Sequence, residues 1–273
     1  MAYRFVMFVD GSNLFGVAKH LAVDFNDYEK LYDYLFERCV CDWRLSFQAI
    51  SPPDAQLVRV YWYVVGSIDE WNLADPKAQG HLKRQFEQDR DVRPTWMKLA
   101  GASLAEKSKP QSQEQIAEEA WALCFRDFQS WYETKKTTLG GMNRFHFAIE
   151  ASTDFIEVRR VGHWKIDFLH KSAEEKRLDT SLAVDMVAML PTYDVALLVL
   201  GDADGIPSVK HVKNSGKHVG AVEFLKGYPP EDRAKNLSAN LKIAADFVTA
   251  IYEMDLVRGG VAEKRSADPV ASV

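Results

Sequence analysis

Two apolar runs in this chain end in carboxylates. Val9-Asp10-Gly11-Ser12-Asn13 closes the first, and Leu200-Gly201-Asp202-Ala203-Asp204 closes the second. Glycines at 11, 201 and 205 let the backbone turn sharply beside the acids. Each acid taken singly fits an ordinary turn carboxylate. Two such turns after two buried strands suggest a shared site, because open parallel sheets bind ligands beyond the carboxyl ends of their strands. Carboxylates gathered there repel one another and lose solvation unless a cation lies between them. Hard oxygen donors without cysteine or histidine favour Mg2+ or Mn2+ over zinc.

A third acid, Asp179, follows Lys176-Arg177-Leu178 and opens an apolar run. It suits a helix N-terminus, where free N–H groups favour a carboxylate, either as a plain cap or as a third ligand. Asp185, six positions on, points about 240° away around a helix. It therefore suits an outer acid or an ion pair within the fold. Lys165, His170, Lys171, Lys176 and Arg177 lead into Asp179 and could reach phosphates, or simply form a solvated loop. Lys210, His211, Lys213, Lys217 and His218 form a second basic stretch. Of Tyr61, Trp62 and Tyr63, strand alternation lets one or two stack on bases, and Trp62 suits the core.

The elements that must carry these residues read as follows. Tyr3–Val9, Gln56–Val65, Val195–Leu200 and His218–Val222 are strands, and Val92–Leu99 is a further strand or extended segment. Helices are expected over 14–21, 27–39, 76–89, 114–133, 180–190, 206–214 and 237–254. The Ser-, Lys- and Gln-rich stretch 101–113 reads as a loop, and 145–149 with 155–161 reads as a hairpin. Alternating strands and helices predict an α/β fold with a mostly parallel sheet flanked by helices. Its expected organisation is one domain over 1–257, a mixed middle insertion near 100–164, and a flexible tail over 258–273.

The 273 residues carry a net charge of -5, with 47% hydrophobic and 27% charged residues, an ordinary globular balance. That charge argues against a broad, sequence-blind duplex binder, although metal ions can supply positive charge at a carboxylate site. Three cysteines without a CxxC pair exclude a disulfide framework or zinc knuckle. No HExxH, GxxxxGK[ST] or GxGxxG motif occurs. With no signal-peptide pattern and no long apolar span, the expected compartment is the cytoplasm, away from membranes.

Together, FVDGSNLF, KRLDTSLAVDM, VLGDADGIPSVKHVKNSGKHV and LSANLKIAADFVTAI resemble the NYN family, LabA-like members of the PIN-like superfamily. The resemblance covers both ends of the chain and leaves about 69–164 without a motif. It implies a Rossmann-like PIN fold and a metal-dependent ribonuclease acting on RNA with Mg2+ or Mn2+. On that pattern Asp10 and Asp179 are metal ligands, and Asp202 and Asp204 are ligands or holders of metal-bound water. Asn13 positions the site and Ser12 assists through its hydroxyl. The sequence departs from the family pattern at Gly205, where an aromatic residue is common, and at Leu178, where a glycine is usual. Both changes spare the acids and bear on substrate fit. A non-catalytic regulatory or partner-binding member is one alternative, and a phosphatase using the same acids is another. The oligomeric state, homo-oligomer included, is left open.

Overall fold

The fold is built around one strand. Tyr3–Asp10 forms β1, in which Phe5 through Val9 are all buried. A computed structural model of the chain describes residues 2–47, 54–105, 112–227, 230–232 and 237–265. After β1 the elements run α1 (Gly11–Leu21), β2 (Val23–Asp24), α2 (Tyr28–Ser46), β3 (Ala55–Ile68), α3 (Pro76–Gln88) and α4 (Val92–Ala105). Then come α5 (Gln113–Ser152), β4 (Ile156–Asp167), β5 (Ser172–Lys176), α6 (Leu178–Ala188) and, after a short 3-10 turn, β6 (Val195–Val199). The chain continues through α7 (Ile206–Asn214), β7 (His218–Gly227), β8 (Pro230–Asp232), α8 (Ala239–Ala244), β9 (Phe247–Tyr252), α9 (Glu253–Arg258) and β10 (Glu263–Lys264).

The chain gathers into two compact units. The first comprises 1–65, 145–162 and 177–273, and its strands lie in the order β4-β3-β1-β6-β7, with β9 beside β7. The β1–β3, β1–β6, β6–β7 and β7–β9 pairs are all parallel. Alternate residues of β1 feed separate cores, as the two-residue side-chain period requires. Phe5, Met7 and Val9 join Leu14 and Val17 of α1 and Leu31 and Leu35 of α2. Val6 and Phe8 join Leu178, Leu182 and Met186 of α6 and Val209 and Val212 of α7. The expected α/β fold with a mostly parallel sheet flanked by helices is thus observed.

The second unit comprises 66–144 and 163–176. Leu82 and Phe86 of α3, Ala120, Cys124, Phe128 and Tyr132 of α5, and Phe168 form its core. The last residues of β4 pair antiparallel with β5.

Four local expectations are corrected. Val92–Leu99 is helical, within α4, and Asp89 caps its start by accepting from the Val92 N–H at 2.6 Å. Residues 101–105 finish that helix, while 106–111 lie outside the described residues. Residues 145–149 are part of the 40-residue α5 rather than a hairpin strand. The segment 237–254 is not one helix, because Phe247-Val-Thr-Ala-Ile-Tyr alternates and buries Phe247, Thr249 and Ile251 beside β7. Gly220 permits that seat, since a Cβ there would lie 2.3 Å from the Phe247 ring. In the expected tail, β10 pairs antiparallel with β2, and residues 266–273 lie outside the described residues.

Candidate functional site

Asp10 is the last residue of β1 and the N-cap of α1. Its carboxylate accepts the Asn13 N–H at 3.0 Å, which starts the helix at Gly11 instead of the expected Leu14. Gly11 is obligatory here. A Cβ would stand 2.8 Å from the Tyr63 carbonyl oxygen and 2.9 Å from the Trp62 indole nitrogen.

Val9 pairs with Val199 across β1 and β6. That register sets Asp10 alongside Leu200, so the Gly201-Asp202-Ala203-Asp204 turn leaves the sheet next to the Asp10 turn. The chain departs β1 into α1 against one core and departs β6 into α7 against the other. Adjacent parallel strands whose connections diverge in this way open a crevice at their carboxyl ends. Within the second turn, the Asp202 carboxylate accepts the Asp204 N–H at 3.1 Å, and Gly201 O accepts the Ser238 N–H at 2.7 Å.

Asp179 lies in the first turn of α6, as its sequence context suggested. Its carboxyl is held above the ordinary aspartate range, first by desolvation and then by the charges of Asp202 and Asp204. Three acids from two separate stretches of chain therefore share one field, with Asp10 on the adjoining strand end. Among the described residues, no three His, Cys, Asp or Glu side chains are gathered into a ready metal cage. An open arrangement still suits magnesium, which binds through one or two carboxylates plus substrate phosphate and keeps several waters. The donors are all hard oxygens, the chemical type that suits a divalent ion of that kind.

The remaining sequence-predicted residues divide between the units. Ser12 is exposed on the first turn of α1, and Asn13 is half-buried beside it. Arg177 is exposed immediately before α6, with a left-handed φ of 76°. Lys171 and Lys176 belong to the second unit, where Lys171 donates to Asp127 at 2.6 Å and Lys176 pairs with Glu174. Asp185 forms an ion pair inside the fold. It accepts the Tyr63 hydroxyl at 2.8 Å and bonds the Arg159 guanidinium, which also stacks 4.3 Å over the Tyr61 ring. Sequence reasoning missed Tyr63 and Arg159 as the partners fastening α6. A lone hint was the Arg159-Arg160 pair inside an otherwise strand-like run.

A family model, that of the NYN domain, matches residues 127–252. Over that segment the chain is similar to the NYN domain. NYN domains belong to the PIN-like superfamily of nucleases. The NYN match takes in Asp179, Asp202 and Asp204, whereas Asp10 precedes it and joins them through the β1–β6 pairing. A crystal structure of a Vibrio parahaemolyticus protein of unknown function is similar at 16% identity, over 92% of this chain and 93% of that one, with a TM-score of 0.39. No curated protein matches the chain in sequence. Among its described residues, no helix is long and apolar enough to cross a membrane.

Proposed function

We propose that this protein is a cytoplasmic, metal-dependent endoribonuclease whose site is built from Asp10, Asp179, Asp202 and Asp204. The observation that carries this reading is the electrostatic convergence of Asp179 with Asp202 and Asp204 at the strand ends next to Asp10. A bound Mg2+ or Mn2+ would supply charge against the phosphoryl oxygens and lower the pKa of a coordinated water. The chain's own part is to hold the carboxylates. Asp10 is fixed by its capping bond, Asp202 by the Asp204 N–H, and Asp179 by the first turn of α6. Ser12 and Asn13 are proposed to orient the phosphodiester, and Arg177 to meet an adjoining phosphate. Lys171 and Lys176 are proposed as contacts along a longer RNA. No side-chain nucleophile is required.

RNA binding without cleavage is a second reading, favoured by the lack of a ready three-ligand cage among the described residues. One assay separates the two. Pure protein is incubated with end-labelled single-stranded RNA and Mn2+, Mg2+ or chelator. Metal-dependent cleavage that disappears in Asp202→Asn supports the nuclease. Binding with no cleavage under any metal supports the second reading, and cleavage that persists undiminished in Asp202→Asn removes the proposed site.

A further inference from the structure

The second unit contains a pocket that the acidic site does not use. It is open to solvent, offers about 580 Å³ and lies among Trp71, His81, Gln85, Gln88, Lys165 and Phe168, with three aspartates also in its lining. That volume lies within the range of small-molecule sites. We infer that this pocket is a nucleobase-binding site, taking one unstacked base between the Trp71 and His81 rings with its edge toward Gln85 and Gln88.

The two rings are nearly parallel, at 15°, with centroids 6.5 Å apart. A planar ring placed between two others needs roughly 7 Å, twice an optimal carbon–carbon separation of about 3.5 Å. The centroid distance limits the gap to at most 6.5 Å, so admitting a base requires the exposed His81 side chain to move outward from Trp71. The Trp71 wall is held in advance. The Trp71 backbone N–H donates to the Tyr132 hydroxyl at 3.0 Å, and that hydroxyl donates to the Asp69 carbonyl at 2.6 Å. His81, Gln85 and Gln88 recur on one face of α3, while Leu82 and Phe86 anchor the helix in the core.

The polar groups suit a base edge. Gln85 and Gln88 are exposed, and among the described residues their side-chain amides take no hydrogen-bond partner. An amide presents both a donor and an acceptor, which is what the edge of a base requires. The three lining acids are already engaged. Asp69 accepts the Ile166 N–H at 2.9 Å, Asp89 accepts the Val92 N–H, and Asp167 accepts the Leu169 N–H at 3.0 Å. Their charge is thereby tempered by backbone donors, and Lys165 adds a cation for a phosphate attached to the base. Only the expectation that the base comes from RNA rests on the proposed nuclease reading; the pocket itself does not.

The test titrates the full chain with AMP, GMP, CMP and UMP, with ribose phosphate as a base-free control, and with a single-stranded RNA tetranucleotide. Binding is read by calorimetry. At least one nucleotide is expected to bind at least tenfold more tightly than ribose phosphate. Trp71→Ala should weaken that binding by about tenfold or more, the usual scale for losing a base–aromatic stack, whereas Trp71→Phe keeps most of it. Gln85→Ala should change the preference among the four bases. Tighter binding of the tetranucleotide assigns the base to RNA, and binding of monomers alone assigns it to a free nucleotide. Equal binding of ribose phosphate, or unchanged binding in both Trp71→Ala and Gln85→Ala, overturns the inference. Asp202→Asn should leave nucleotide binding intact while abolishing cleavage, so the two proposals fail separately.

Discussion

The Tyr63 hydroxyl donates to the Asp185 carboxylate at 2.8 Å, and Arg159 grips the same oxygen from β4. Tyr63 is also the β3 residue paired with Asp10. One phenol thus connects the strand beside the first acid to the helix carrying Asp179. Burial first, and then the bond to Asp185, drive the Tyr63 hydroxyl well above its ordinary range, so it stays a donor at any working pH. Arg159→Ala strands Asp185 with under a quarter of its side chain in solvent. It is expected to destabilise the chain by about 2 kcal/mol, and Tyr63→Phe by about 1 kcal/mol, measured by urea unfolding. Loss of cleavage in Arg159→Ala at temperatures where the variant stays folded would show that the tie also positions the site.

Replacing Asp202 by Asn should reduce RNA cleavage by at least 100-fold while leaving the circular dichroism spectrum and urea midpoint nearly unchanged, because the residue is exposed and its turn is held by Gly201. A variant retaining a tenth or more of the activity would contradict the assigned role.

The same substitution carries an electrostatic signature. Asp179 titrates above its ordinary value near 3.8 in the folded chain, so the folded state holds its proton longer than the unfolded one. Its contribution to stability is complete below that value and is lost as pH rises through the raised folded value. Mg2+, or Asp202→Asn, is expected to lower the Asp179 titration observed by carboxyl NMR. No movement with either would mean that Asp179 and Asp202 do not share a field.

His146 behaves in the opposite sense. It is fully buried among Phe15, Trp62 and Phe145, and burial first, then the Arg160 charge, lower its pKa from 6.5 to about 4. Between those values the unfolded chain binds the proton and the folded chain does not. Stability is therefore present above pH 6.5 and lost as pH falls toward 4, by on the order of 2–3 kcal/mol. His146→Phe should flatten that part of the pH–stability curve; an unchanged slope would refute the assignment.

Gly11→Ala should destabilise the chain by about 1–3 kcal/mol, since the new methyl meets the Tyr63 carbonyl, a backbone atom that cannot swing aside. Thermal denaturation measures the loss. A melting curve equal to that of the parent would show that the β1–α1 turn has more room than its 2.8 Å contact allows.

The parts of the fold readable in the sequence are those whose local pattern and tertiary role agree. Phe5–Val9 and Val195–Val199 are apolar throughout because both faces of each strand are covered. Ile206–Asn214 is bounded by a glycine turn on one side and by Ser215-Gly216 on the other, so its expected and observed limits coincide. The misreadings arose where context overrides propensity. Phe247–Tyr252 sits in a run whose spacing also fits a helix, and only the vacant edge of β7 makes it a strand. Val92–Leu99 is apolar enough for a strand, yet the Asp89 cap sets it turning. At the site, turn sequences single out Asp10, Asp202 and Asp204 as candidates, whereas Asp179, read as a possible cap, lies inside the first turn of α6 behind the N-cap Arg177. The partners of Asp185 could not be read, because Tyr63 and Arg159 meet it only through tertiary packing.

The central position of β1 has a practical consequence. Cutting the chain to the 127–252 segment that carries the family signature would discard the strand lying between β3 and β6. The fragment would keep three of the four acids but expose the naked flank of β6, with apolar residues on both its faces. Such an edge invites other chains to pair with it. A shortened piece of this kind is a recipe for inclusion bodies, so any minimal folded fragment has to begin ahead of Tyr3.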